Sequence, residues 1–251
     1  MRSNQIKLIK NIEELSLNAW ASLQTMFYDG WIMRFAEGYT KRANSVNPLY
    51  PSSIDIDEKI HFCEYIYQQR NLPVVFKMTS SVYPGDLDEQ LHANGYQMDS
   101  PTSVQTIDLN VANLQGISRA ELQGELSDAW LENFCRMSAV ATMHTKTLRK
   151  ILMNIVPKHC FVSIQSNDRI VACGLGVLQS GFAGLFDIVT DKEFRNRGYG
   201  QQIVKSILDW GKQNHAKTGY LQVMIDNVPA LNLYSKIGFT EQYQYWYRIK
   251  S

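Results

Sequence analysis

Between Cys160 and Val189 the chain passes through three short β-rich runs separated only by polar and glycine turns, and from Tyr199 its apolar period changes to that of a helix. This succession constrains the fold more than any other feature. Cys160–Gln165, the turn Ser166-Asn167-Asp168, Ile170–Leu178, the turn Gln179-Ser180-Gly181 and Phe182–Val189 read as an antiparallel meander. After it, Ile203, Val204, Ile207, Leu208 and Gly211 share one helix face. Tyr220–Ile225 reads as a buried strand. Asn227 and Pro229 then open a short helix, because an Asn cap and a Pro in the first turn suit its unpaired amides. Gly238 ends that helix, and Tyr243–Ile249 is an aromatic-rich closing strand. Upstream, Leu122–Phe134 and Lys146–Ile155 have helical spacing and Pro157 closes the pair.

The first half reads as a weaker copy of the same plan. Ile12–Met26 is a predicted helix, Trp31–Phe35 a strand, Glu58–Gln69 a helix, Val74–Met78 a strand, Asp86–Asn94 a helix stopped by Gly95, and Val104–Leu109 a strand. The stretches LHANGYQ (Leu91–Gln97) and LYSKIGFTE (Leu233–Glu241) each combine a short helix, a glycine, an aromatic and a strand. Such self-similarity points to duplication. The expected division is residues 1–112 and 113–251, with Leu109–Ser118 as linker. A length of 251 residues suits one large domain or two small ones.

Twenty-five basic residues against 24 acidic ones give a net charge of +1, which removes the electrostatic case for nucleic acid or anionic membrane as a partner. The four cysteines form no CxxC pair and the histidines no HxxxH pair, so neither zinc nor dithiol redox chemistry is supported and no metal is expected. The uncharged run from Ile170 to Phe186 is broken by Gln179-Ser180-Gly181, whereas a membrane helix needs about 20 apolar residues. The N-terminus has no apolar stretch long enough for a signal peptide, and a cytoplasmic protein is expected.

The sharpest chemical signal is Arg195-Asn196-Arg197-Gly198-Tyr199-Gly200, set between a strand and an amphipathic helix. A glycine turn there aims unpaired N–H groups at one point with the helix dipole behind them, which suits an anion such as a diphosphate. Two arginines strengthen phosphate capture. No Gly-Lys-Ser/Thr follows, so it is not a P-loop, and the third glycine of a dinucleotide fingerprint is missing. Gly174-Leu175-Gly176, within a strand, reads as a bulge or close packing.

A second signal is NVPALNLYSKIGF, Asn227 to Phe239. Together the two motifs resemble the GNAT superfamily of acetyl-CoA-dependent N-acetyltransferases. Arg195, Gly198 and Gly200 meet its Q/R-x-x-G-x-G/A pattern; Asn227, Ala230, Leu233, Tyr234, Gly238 and Phe239 meet its N-x-x-A-x-x-L-Y-x-x-x-G-F pattern. The resemblance spans residues from about Glu121 to Arg248. It implies an α/β fold of two GNAT-like lobes with mixed, mostly antiparallel sheets, the first lobe degenerate and without a coenzyme site.

The resemblance further implies acetyl-CoA as cosubstrate. Backbone amides of Arg195, Asn196, Arg197, Gly198, Tyr199 and Gly200 would hold its diphosphate. Its pantetheine would lie along Phe186–Thr190, bonding Ile188 and Val189 like an added strand beside Thr190, with Asn227 on the same arm. An amide at Val189 could polarise the thioester carbonyl. Tyr234 would protonate the departing thiolate; a phenol, with a reference pKa near 10, carries a proton at neutral pH. Direct attack by an amine requires a base or water chain to take its proton. Asp187, Glu193 and Glu241 are the acids near the site, and Asp187, on the coenzyme strand, is the favoured base. The expected acceptor is the primary amine of a small molecule. A protein lysine or N-terminus, and a coenzyme-binding regulator without turnover, are the alternatives, and a homodimer is a possible assembly. The polar stretch Lys41–Pro48 reads as an ordered loop that either contacts substrate or caps its own backbone. Tyr243, Tyr245, Trp246 and Tyr247 read as sheet packing.

Overall fold

The computed structural model describes residues 2–116 and 120–250. In chain order these form α1 (Arg2–Ala19), β1 (Gln24–Tyr28), β2 (Trp31–Phe35), β3 (Val46–Pro48), α2 (Ile56–Gln68), β4 (Val74–Thr79), α3 (Leu87–Ala93) and β5 (Gln97–Asp108). There follow β6 (Glu121–Gln123), α4 (Asp128–Met137), α5 (Thr145–Met153), β7 (Lys158–Ser166), β8 (Arg169–Gln179), β9 (Phe182–Thr190), α6 (Tyr199–Gln213), β10 (Thr218–Met224), α7 (Val228–Ile237) and β11 (Thr240–Lys250). Two compact units result: Met1–Ser103 with Tyr243–Ser251, and Val104–Gln242. The chain thus leaves the first unit within β5 and re-enters it within β11. Ile117 and Ser118, the end of the expected linker, lie outside the described residues.

In the first unit the strands run in the order β1-β2-β3-β4-β11. β1–β2 and β2–β3 are antiparallel, β3–β4 is parallel, and β11 returns antiparallel to β4 from Tyr245↔Thr79 to Lys250↔Val74. Trp31, Met33 and Phe35 of β2 and Phe76 and Met78 of β4 face Ile60, Cys63 and Tyr67 of α2 and Leu87 and Leu91 of α3 in one apolar core. Val75, Lys77 and Thr79 alternate to the other face of β4, as a strand's period of two requires.

In the second unit the order is β10-β9-β8-β7-β6, and Leu109, just after β5, donates to the Lys217 carbonyl at 2.9 Å. The expected meander is present as antiparallel β7–β8–β9. Ile203, Val204, Ile207 and Leu208 are fully buried in its core, the face expected of α6. Gly174 and Gly176 lie beneath that helix: a Cβ on Gly174 would sit 2.4 Å from Ile203 Cγ2, and one on Gly176 2.8 Å from Ile207 Cγ2. Close packing therefore requires both glycines.

Several expected boundaries are corrected. The helix expected over Ile12–Met26 stops at Ala19, and Gln24–Tyr28 is a strand. Arg34 of β2 donates to the carbonyls of Leu17 (3.0 Å) and Trp20, occupying acceptors at the helix C-terminus. The expected helix over Leu122–Phe134 is a strand at Glu121–Gln123 followed by a helix that starts at Asp128, where the Ser127 hydroxyl accepts from the Trp130 N–H at 3.2 Å. Within the Lys41–Pro48 loop, Val46–Pro48 is a strand, Val46 pairing with both Met33 and Phe76. Asn44 caps its own surroundings: its Oδ1 accepts from the Ala36 and Gly38 N–H groups at 2.7 and 3.1 Å, and its Nδ2 donates to the Tyr39 and Thr40 carbonyls.

The two similar stretches fold alike. Gly95 (φ +87°) and Gly238 (φ +112°) end α3 and α7 in left-handed conformation. The next aromatic's N–H then reaches back five residues, Tyr96 to Leu91 O and Phe239 to Tyr234 O, both at 3.0 Å. This equivalence sets Leu91 in the first unit at the position of Tyr234 in the second.

Candidate active site

The second unit contains a fork. β9 and β10 pair in parallel from Phe182↔Thr218 to Leu185↔Leu221 and no further, while β9 continues to Thr190. Phe186–Thr190 is held on its other side by β8, through Leu175↔Phe186, Cys173↔Val189 and Ala172↔Thr190. Between these pairs the register shifts, so that Asp187 and Ile188 stand opposite the single residue Gly174; Asp187 takes φ +51°. A bulge of this kind bends the strand and disrupts its ladder. Half-buried Ile188, Val189 and Thr190 therefore form a strand edge open toward β10, where a linear amide chain can add as a strand.

Beyond β9, Asp191 caps a short 3-10 turn, Lys192–Phe194, and the exposed residues Arg195, Asn196 (φ +61°), Arg197 and Gly198 lead into α6. Gly198 is the helix cap at φ +83° and brings no side-chain acceptor. The helical ladder begins with the Gln202 N–H donating to Gly198 O at 3.1 Å, so the N–H groups of Tyr199, Gly200 and Gln201 open out of the helix end. The Arg197 guanidinium lies 5.0 Å over the Phe194 ring. In the first unit, by contrast, α2 begins at Asp55, whose carboxylate accepts from the Asp57 and Glu58 N–H groups, with Asp57 and Glu58 acidic in its first turn. That helix end already holds an anion and repels another; the end of α6 does not.

Three elements converge at Gly200, where a Cβ would lie 3.5 Å from both Leu233 Cδ2 of α7 and Thr190 Oγ1 of β9. Tyr234 follows Leu233. Its ring meets Phe239 edge-on at 5.8 Å, and among the described residues no hydrogen bond holds its hydroxyl. Burial pushes the Tyr234 phenol up to about 12. The phenol therefore keeps its proton at neutral pH. Asn227, exposed, caps α7 by accepting from the Ala230 N–H at 3.3 Å through its side-chain oxygen.

Of the candidate bases, Asp187 is half-buried in the bulge, and its charge helps to raise the neighbouring Cys173 thiol, which burial chiefly pushes up to about 12. Glu193 is exposed and lies 3.5 Å from Arg169, and Glu241 is exposed on β11. All four cysteines are free; burial pushes Cys160 up to about 12 and raises Cys135 as well, so no thiolate nucleophile is prepared. Among the described residues no three His, Cys, Asp or Glu side chains cluster to hold a metal, and no helix is long and apolar enough to cross a membrane.

Sequence reasoning missed Asp191. Its buried carboxylate accepts from Arg136 of α4, from Arg169 of β8 at 2.7 Å and from the Glu193 N–H at 3.1 Å. The Arg136 hydrogen bond, above all, holds that carboxyl below its ordinary range. An Asp two residues before Glu193 is a capping signal legible in the sequence, but the two arginines are not.

Comparison with known proteins agrees with this geometry. The chain is 29% identical over 248 residues to "Uncharacterized N-acetyltransferase YobR" of Bacillus subtilis (strain 168), covering 96% of this chain and 98% of that protein. Its fold matches a GCN5-related N-acetyltransferase from Kribbella flavida with a TM-score of 0.72 at 11% identity, covering 96% and 95% of the two chains. It also matches a tandem GNAT protein from the clavulanic acid biosynthesis pathway with a TM-score of 0.64 at 11% identity, covering 95% and 87%. The family described as "Probable histone acetyltransferase Rv0428c C-terminal" matches residues 7–248. The chain belongs to that family and is an N-acetyltransferase of the GNAT superfamily.

Proposed function

We propose that this enzyme transfers an acetyl group from acetyl-CoA to the primary amine of a small molecule, by direct attack and without a covalent acetyl-enzyme. The observation that carries the reading is the convergence at Gly200: an open helix end, an unpaired strand edge and the helix bearing Tyr234 meet within van der Waals reach. The coenzyme supplies an activated thioester. Tyr199, Gly200 and Gln201 would hold its diphosphate through their N–H groups, with Arg195 and Arg197 adding charge. Ile188 and Val189 would bond the pantetheine amides, and Asn227 would donate to the same arm. Tyr234 holds the proton that a leaving thiolate needs. Asp187, in the bulge, is the base proposed to take the proton of the attacking ammonium.

Two observations bear on the acceptor. One structural neighbour is a tandem GNAT protein from the clavulanic acid biosynthesis pathway, whereas the family's description names a probable histone acetyltransferase. The deciding experiment is a thiol-release assay with acetyl-CoA against a panel of small primary amines, histone-tail peptides and free N-terminal peptides, run beside calorimetry with coenzyme A. Turnover with small amines alone supports the proposal; turnover with peptides alone replaces it with a protein-modifying role. Binding of acetyl-CoA without thiol release from any acceptor would favour a regulator, and no binding heat would remove the donor assignment.

A further inference from the structure

We infer that Asp191 is a positioning residue that presets the coenzyme loop. The inference rests on the donor site proposed above. Arg195 to Gly198 are exposed and add nothing to the core, so the loop must be held from its ends. One end is the first turn of α6. The other is Asp191, which is 5% exposed and gathers three elements. Its N–H donates to Val171 O of β8 at 2.8 Å, and its own carbonyl accepts from the Phe194 N–H at 2.9 Å. Its carboxylate takes the Glu193 N–H, Arg169 and Arg136. Arg136 donates onward to Ile170 O at 3.1 Å and Asn133 Oδ1 at 3.0 Å, tying α4 to the same point.

Both arginines are well exposed, at 39% and 44% of their side chains. Losing the carboxylate therefore leaves their charges in reach of water rather than stranded in the core. The cost falls on the turn that aims the loop, and a loop ordered only on binding loses affinity to its own entropy. Asp191→Ala removes the cap and both ion pairs. Asp191→Asn keeps an oxygen for the Glu193 N–H and removes the charge.

The test is calorimetry with coenzyme A on wild type, Asp191→Asn, Asp191→Ala and Arg169→Gln, with acetyl-CoA kinetics in parallel. The expected result is an affinity at least about tenfold weaker for Asp191→Ala and an intermediate one for Asp191→Asn and Arg169→Gln. The KM for acetyl-CoA should rise while kcat at saturation stays within about twofold. A merely structural residue would lower kcat with the folded fraction and leave KM unchanged; that pattern, or equal affinity in all four proteins, overturns the inference while the donor site stands. Should Asp191→Ala not fold, the Asp191→Asn and Arg169→Gln affinities decide alone. A wild-type protein that binds no coenzyme A overturns the donor site itself, and the inference with it.

Discussion

Lys77 donates to Glu13 across 2.5 Å inside the first unit, with both side chains at least 95% buried. The other Glu13 oxygen accepts from the Tyr243 hydroxyl at 2.8 Å, and the Lys77 ammonium lies 4.0 Å over the Tyr245 ring. Breaking a buried pair from one side leaves an uncompensated charge, so Glu13→Gln or Lys77→Met should each destabilise by about 3–5 kcal/mol. The double variant Glu13→Gln/Lys77→Met should cost clearly less than the sum. Urea unfolding of the four proteins measures this; single-variant losses below about 1 kcal/mol would mean that the pair is idle.

Tyr234→Phe separates chemistry from fold. Among the described residues the hydroxyl holds no hydrogen-bond partner, so its removal should leave the melting temperature unchanged, while kcat should fall about 100-fold with little change in the KM for acetyl-CoA. Because burial pushes this phenol up to about 12, its ionisation should not limit the rate below pH 11. An alkaline fall in kcat that Tyr234→Phe abolishes near pH 10 would contradict that placement.

Asp29 gives a pH signature at the other extreme. The Ile54 N–H at 2.8 Å, with the Ser53 N–H, the Ser53 hydroxyl and Lys59, lowers its carboxyl from 3.8 to about 2. The folded value is depressed, so the stabilisation is fully present above pH 4 and disappears as pH falls through 2. Asp29→Asn should lower stability at neutral pH and flatten its acid dependence between pH 4 and 2. A titration of unfolding midpoints with the same slope for both proteins would count against the assignment.

Gly174→Ala tests the packing beneath α6. The added methyl would lie 2.4 Å from Ile203 Cγ2 and 3.1 Å from Ile207 Cδ1. A loss of about 1–3 kcal/mol is expected, whereas Gly200→Ala, with contacts no closer than 3.5 Å, should stay within about 0.5 kcal/mol. Thermal unfolding of both variants gives the comparison.

How much of this was legible depended on how far apart the interacting residues lie. The meander, the core face of α6 and the stops at Gly95 and Gly238 are local, and period or turn chemistry reveals them. β3 and β6 are three-residue strands that exist only through partners elsewhere: Val46 through Met33 and Phe76, Leu122 through Val162. The end of α1 depends on Arg34, beyond any helix signal of its own. At the site, Gly198, Tyr234 and Asn227 announced themselves by motif. The fork between β9 and β10 did not, because the place where two strands part is written in neither strand alone. Asp191 stayed hidden because Arg136 and Arg169 lie 55 and 22 residues away.

The return of the chain to the first unit makes that unit depend on residues far along the sequence. Tyr245 to Lys250 are the antiparallel neighbours of β4, and Arg248 grips Asp88 of α3 through both carboxylate oxygens, at 2.9 and 2.8 Å. A first unit deprived of residues 243–250 would therefore present a bare β4 flank and an Asp88 without its guanidinium, whatever the state of the second unit.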